Sequence, residues 1–150
     1  MRFEERLQVP VPRSAAWSFL WQTERLAACI PGCEELEEIV RGQSYKAVFA
    51  DRIGPYQVRF DMTISVVEAV EPERVKLTAS GRDARMGVSQ KLELTVGLDE
   101  PSPAVTGMNV VADVEILGRV ATLGQFVIKR KVKSVIEQFT ENVRQEMAQG

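Results

Sequence analysis

The chain contains no histidine and only two cysteines among its 150 residues. Without imidazole there is no histidine-ligated zinc, no Ser-His or Cys-His nucleophile pair, and no proton shuttle tuned near neutral pH. Two thiols alone cannot close a four-ligand zinc site. Cys29 and Cys33 flank Ile30-Pro31-Gly32, a longer spacing than the Cys-x-x-Cys of redox and zinc motifs. Long apolar runs are also missing. The longest, Leu26–Ile30, has five residues, too few for a membrane-spanning helix. The opening Met-Arg-Phe-Glu-Glu has no apolar signal-like stretch behind it. A cytoplasmic location is expected.

Charge of one sign is scarce as well. The net charge is −2. Residues 119–150 carry 6 Lys and Arg against 3 Asp and Glu, whereas the preceding 118 carry 13 against 18. A mildly acidic body with one basic helical segment lacks the footprint of a nucleic-acid binder.

What is present suffices for one domain over residues 1–150, with 45% apolar and 27% charged residues. Arg2–Val9 alternates, with Phe3, Leu7 and Val9 on one face, the period of a half-buried strand. Pro10 and Pro12 end it, since neither donates to a ladder. Ser14 is placed to cap a short helix through Trp17 and Trp21, and Thr23 to start a second that Pro31-Gly32 stops. Strands then dominate: Glu34–Val40, Tyr45–Ile53, Tyr56–Val66, Val75–Ser80, Val88–Leu98 and Met108–Ile116. Gly81–Gly87 reads as a charged loop. Hairpin-sized turns imply an antiparallel meander.

From Arg119 to Met147 the period becomes helical, through Val120, Leu123, Val127, Val135, Phe139 and Val143. Such a helix, roughly 40 Å long, can cross a whole sheet. Each strand has one apolar face, so the sheet needs a cover, and this helix is the element able to supply it. A bent sheet gripping one helix cannot close tightly everywhere. An apolar cavity is expected between sheet, long helix and small helices.

The order β-α-α-β6-α resembles the START/Bet v 1-like (SRPBCC) helix-grip superfamily: α+β, a seven-stranded curved antiparallel sheet around a long C-terminal helix. Ala28-Cys29-Ile30-Pro31-Gly32-Cys33-Glu34-Glu35-Leu36 is similar to a segment of the CoxG family, the G subunits of carbon monoxide dehydrogenase. Ile53-Gly54-Pro55, Leu117-Gly118-Arg119 with Leu123-Gly124, and Val11-Pro12 with Trp17 extend the likeness along nearly the whole chain. The resemblance implies a binding protein for an apolar small molecule, a quinone or prenyl lipid, with no cofactor required. It also implies association with a molybdenum hydroxylase such as aerobic CO dehydrogenase, and peripheral contact with the inner face of the cytoplasmic membrane. Some members extend to a C-terminal membrane anchor, whereas the 150 residues end directly after the long helix.

The residues expected to line the cavity are Trp17, Trp21, Cys29, Ile30, Phe49, Phe60, Met62, Met86, Met108, Val110, Leu123, Phe126 and Val127. Each has a plainer reading as core packing. Trp17 and Trp21 lie one helical turn apart and stack either way, and methionines fill core gaps as readily as they adapt to ligands. Lys129, Arg130, Lys131 and Lys133 are candidates for membrane or partner contact, or simply the solvated back of the helix. Glu34, Glu35, Glu37 and Glu38 read as an edge strand protected against pairing.

Asp61, Glu93, Asp113 and Glu115 alternate with apolar residues and should face solvent. Asp51 alone falls on an inward position, where the family is usually apolar. It is the one weak catalytic candidate, either a lone acid with a raised pKa or a carboxylate partnered by Arg52 or Arg85. Three readings stay open at this point: an apolar-ligand carrier, an adaptor that assembles or recruits a molybdenum enzyme, and a cyclase/dehydratase-type enzyme.

Overall fold

The computed structural model describes residues 1–149. Strand β1 (Arg2–Val9) leads into helices α1 (Arg13–Phe19) and α2 (Thr23–Cys29). Six strands follow: β2 (Cys33–Val40), β3 (Ser44–Ile53), β4 (Tyr56–Val70), β5 (Arg74–Asp83), β6 (Val88–Ser102) and β7 (Val105–Gly118). A 3-10 turn over Arg119–Leu123 precedes the long helix α3 (Gln125–Ala148). The sheet is antiparallel throughout, in the order β1-β7-β6-β5-β4-β3-β2.

Three expectations need correction. Ser14 is not the cap of α1: the helix starts at Arg13, and the Pro12 carbonyl accepts the Ala15 and Ala16 N–H groups at 3.0 and 3.1 Å. Proline holds φ at about −65°, and Pro12, with ψ 153, takes the extended N-cap position without a side-chain hydrogen bond. Strand β5 runs on through Asp83, so the β5–β6 connection shrinks to Ala84–Gly87. The final helix does not begin at Arg119. Gly118 and Gly124 sit at φ 105 and 92, left-handed values that cannot be carried by a right-handed helix. They bracket the 3-10 turn and reset the phase of α3, whose 24 residues span roughly 36 Å.

Alternation in the strands becomes burial on one face. In β4, Val58, Phe60 and Met62 are buried while Gln57, Arg59, Asp61 and Thr63 are not. The core collects at the two ends of α3. One end packs Val9, Ala16, Trp17, Phe19, Cys29, Met108 and Val110 against Val143 and Met147. The other packs Ala47, Ile53, Val58, Phe60, Met62 and Val88 against Val120 and Ile128. A small third cluster, Phe3, Ala112 and Val114, lies between them. Full burial of such side chains stabilises by about 1.5–3 kcal/mol each, so the ends of α3 anchor the grip. Edge strand β2 carries the expected run of exposed glutamates.

Candidate ligand cleft

The middle of α3 differs from its ends. Ile128, Thr140, Val143 and Met147 are buried, but Val132, Val135, Ile136 and Phe139 are only half-buried. Opposite them the inward residues of the central strands, Ile64, Leu92, Leu94 and Ile116, are also half-buried. Register puts these on one surface: Ile64 pairs with Ala79, Ala79 with Leu92, and Leu92 with Val114. Apart from Val135, these groups pack against the buried clusters, yet all keep part of their surface open. Gly81 shapes the floor, since a Cβ there would collide with the Met62 Sδ and the Asp61 carbonyl.

The structure has two open depressions of about 480 Å³ each. One lies on the sheet, lined by polar residues such as Thr63, Thr78, Lys91 and Glu93 and also by Ala79, Leu92 and Val114. The second lies on the outer side of α3 around Arg130, Lys133 and Glu137.

The cavity residues expected from sequence divide into three groups. Trp17, Cys29, Phe60, Met62, Met108 and Val110 are buried in the filled end clusters. Trp21, Ile30, Phe49, Met86 and Leu123 are half-buried. Trp17 and Trp21 do stack, with ring centroids 5.7 Å apart and planes tilted by 59°. Phe126 and Val127 are corrected: they stand outside the grip, 75% and 37% exposed. The break at Gly124 puts them in the first turn of α3, before the helix reaches the sheet. Leu117, at the end of β7, is also exposed, and the exposed basic residues Arg119, Lys129 and Arg130 adjoin these positions in sequence; this is the tip of the grip. The half-buried middle of α3 does not stand out in the sequence. Its signal is positional: Val132, Val135, Ile136 and Phe139 sit midway along the helix, opposite the centres of long strands.

Asp51 does face inward, but its partner is neither Arg52 nor Arg85 in the expected sense. Its Oδ1 lies 2.8 Å from Lys131 Nζ, and it accepts the Arg52 backbone N–H at 2.7 Å. The two side chains are about one-third exposed, at 33% and 34%. Lys131 therefore leaves the solvated basic face, on which Lys129, Arg130 and Lys133 remain exposed. The fully buried carboxylate belongs instead to Asp83, 5% exposed. It accepts the Arg59 N–H at 2.8 Å and the Met86 N–H at 3.0 Å. The Arg59 N–H, above all, holds its carboxyl below the usual range, against the opposing effect of burial.

Burial pushes both thiols up, which keeps them as inert thiols. Tyr45 is pushed up to about 12 by burial and by its hydrogen bond to Glu38, 3.0 Å away, so its hydroxyl stays protonated.

A seven-stranded antiparallel sheet gripping one long helix, with short helices after the first strand, is a START-like fold. A START superfamily protein from Mycobacterium smegmatis shares the fold, with TM-score 0.75 and 13% identity over 99% of this chain and 97% of that one. The chain belongs to the CoxG family, the G subunits of carbon monoxide dehydrogenase, whose model matches residues 6–148. A conserved protein from Geobacillus kaustophilus is similar at 24% identity and TM-score 0.88, over 99% of this chain and 96% of that one. The Zhui aromatase/cyclase from Streptomyces shares the fold at TM-score 0.66 and 11% identity, over 99% and 91%. No protein of curated function matches the sequence. Among the described residues no helix is long and apolar enough to cross a membrane.

Proposed function

We propose that the protein binds an apolar small molecule, a quinone or isoprenoid-like lipid, in the cleft between the sheet and the middle of α3. One observation carries this reading. Val132, Ile136 and Phe139 pack against the buried sheet clusters, yet they and Val135 are only half-buried. Apolar surface covered by a ligand gains roughly 25 cal/mol per Å², so a half-wet apolar cleft favours an apolar guest. The test is organic extraction of purified protein followed by mass spectrometry, against a matched blank. A single prenyl lipid or quinone near one per chain supports the carrier reading. A neutral fluorophore such as N-phenylnaphthylamine that fails to bind the emptied protein overturns it.

A second reading rests on the tip. Leu117, Phe126 and Val127 expose apolar surface two or three residues along the chain from the exposed Arg119, Lys129 and Arg130. Such a surface suits peripheral contact with an anionic membrane, at about 1 kcal/mol per basic residue near the surface. With the family's name, it favours a role in recruiting a molybdenum hydroxylase of the CO dehydrogenase type. The cyclase/dehydratase reading draws on the shared fold of the Zhui protein alone, because Asp51 is already engaged by Lys131.

A further inference from the structure

Asp51 and Lys131 are the charged groups that tie the sheet to α3 on the ligand side of the grip. Asp51 shares the inward face of β3 with Ala47, Phe49 and Ile53, and Lys131 shares a helical face with Ile128 and Val135. Ile53 and Ile128 belong to a packed cluster that also takes in Ala47 and, at its edge, Phe49 and Val132, while Val135, one turn beyond Lys131, is half-buried. The pair therefore sits on the partly open edge of that cluster, one-third exposed.

Its hydrogen-bonding capacity is not used up. An ammonium has three donors and a carboxylate about four acceptor sites. The contacts of Asp51, to Lys131 and to the Arg52 N–H, both fall on Oδ1. Oδ2 keeps lone pairs, and Nζ keeps N–H groups.

We infer that the Asp51–Lys131 pair is a head-group anchor that selects neutral, hydroxyl-bearing amphiphiles. This rests on the cleft reading above and adds the chemistry of the ligand's polar end. A hydroxyl both donates and accepts, so it can give its proton to Asp51 Oδ2 and take one from Lys131 Nζ. A pure hydrocarbon leaves the spare sites of both groups unused. A carboxylate meets Lys131 but is repelled by Asp51, and the pair as a whole carries no net charge to reward it. Hydrogen bonds involving an ionised group are stronger than neutral ones, and the one-third exposure of the pair moderates the gain without cancelling it.

The experiment uses three probes with one tail: para-hexylphenol, hexylbenzene and para-hexylbenzoate. Each displaces N-phenylnaphthylamine from the full chain at neutral pH. The wild type should bind the phenol about tenfold more tightly than either of the others. The double variant Asp51→Ala/Lys131→Met, which removes both partners, should bring phenol and hydrocarbon to within about twofold of each other and leave hexylbenzene unchanged. Asp51→Asn, which uncovers the Lys131 charge, should raise benzoate affinity about tenfold. Matching thermal melts establish that both variants are folded, and each tests the anchor independently. Equal binding of phenol and hydrocarbon by the wild type overturns the anchor while leaving the cleft intact. So does an unchanged benzoate affinity in Asp51→Asn. If the fluorophore itself does not bind, the cleft reading falls and the anchor falls with it.

Discussion

Arg25 of α2 holds the last turn of α3: its Nε lies 3.0 Å from Glu146 Oε1, and an Nη donates to the Glu146 carbonyl at 3.1 Å. The same guanidinium lies over the Phe19 ring, 4.9 Å from its centroid. One side chain thus joins α1, α2 and the carbonyl end of α3. A cation there also complements the helix dipole. Asn142 adds a second tie, donating to the Cys29 carbonyl at 3.0 Å.

Arg25→Ala should therefore cost about 1–2 kcal/mol, more than an ordinary exposed ion pair. Urea unfolding would show a lower midpoint at unchanged slope, and amide exchange in α2 would quicken before that in the sheet. Glu146→Gln keeps an acceptor and the carbonyl contact, so its cost should be smaller. A wild-type midpoint for Arg25→Ala would mean that the helices hold together by packing alone.

Asp83 makes a prediction about acid. Its carboxyl is lowered in the folded chain, so the sign is that of a depressed carboxylate. The stability it supplies is complete above the unfolded value, about 3.9, and is lost as pH falls through the lower folded value. Asp83→Asn can accept one of the two N–H groups but turns its own amide towards the other. It should lose about 1–3 kcal/mol at pH 7. The gap between variant and wild type should narrow as pH drops below about 4. A gap that stays constant from pH 7 to pH 2.5, roughly a unit and a half below that reference, would remove Asp83 from this account.

Much of the fold is legible in the sequence because strand alternation and helical period are local. The residues whose placement depends on distant partners are not. Asp83 reads as a loop acid, since an inward carboxylate satisfied by the N–H of Arg59 on the neighbouring strand leaves no sequence mark. Asp51 is legible as inward-facing, but its partner lies 80 residues away on another element. Lys131 hides inside a run of like residues, although it is three after Ile128 and four before Val135, on the sheet-facing side. Val127 is misplaced by periodicity because a helix begun at Arg119 has a different phase from one begun after a left-handed Gly124.

The exposed tip separates stability from binding. Phe126 is 75% exposed, so Phe126→Ser should move stability by no more than about 0.5 kcal/mol. Binding to vesicles rich in anionic lipid should weaken, and replacing Lys129 and Arg130 by Gln should weaken it further and flatten its salt dependence. Sedimentation with vesicles at two salt concentrations reads both effects. Wild-type protein that stays in the supernatant at low salt would end the membrane reading.

The cleft itself can be tested by filling it. Met108 sits in a packed cluster with Val9, Val110 and Val143, and enlarging it to Phe should cost about 1–3 kcal/mol through strained rotamers and displaced neighbours. Ile136 is half-buried at the edge of the Phe3, Ala112 and Val114 cluster. On the cleft reading the added ring extends into the guest's space, and the apolar area it covers should leave stability unchanged or slightly raised. The same ring occupies the volume assigned to the guest, so Ile136→Phe should weaken N-phenylnaphthylamine binding while the melting temperature holds. Two substitutions of similar size would then act in opposite ways, one on stability and one on binding. If Ile136→Phe destabilises as much as Met108→Phe, the middle of α3 is ordinary core and the half-buried apolar face has no room for a ligand.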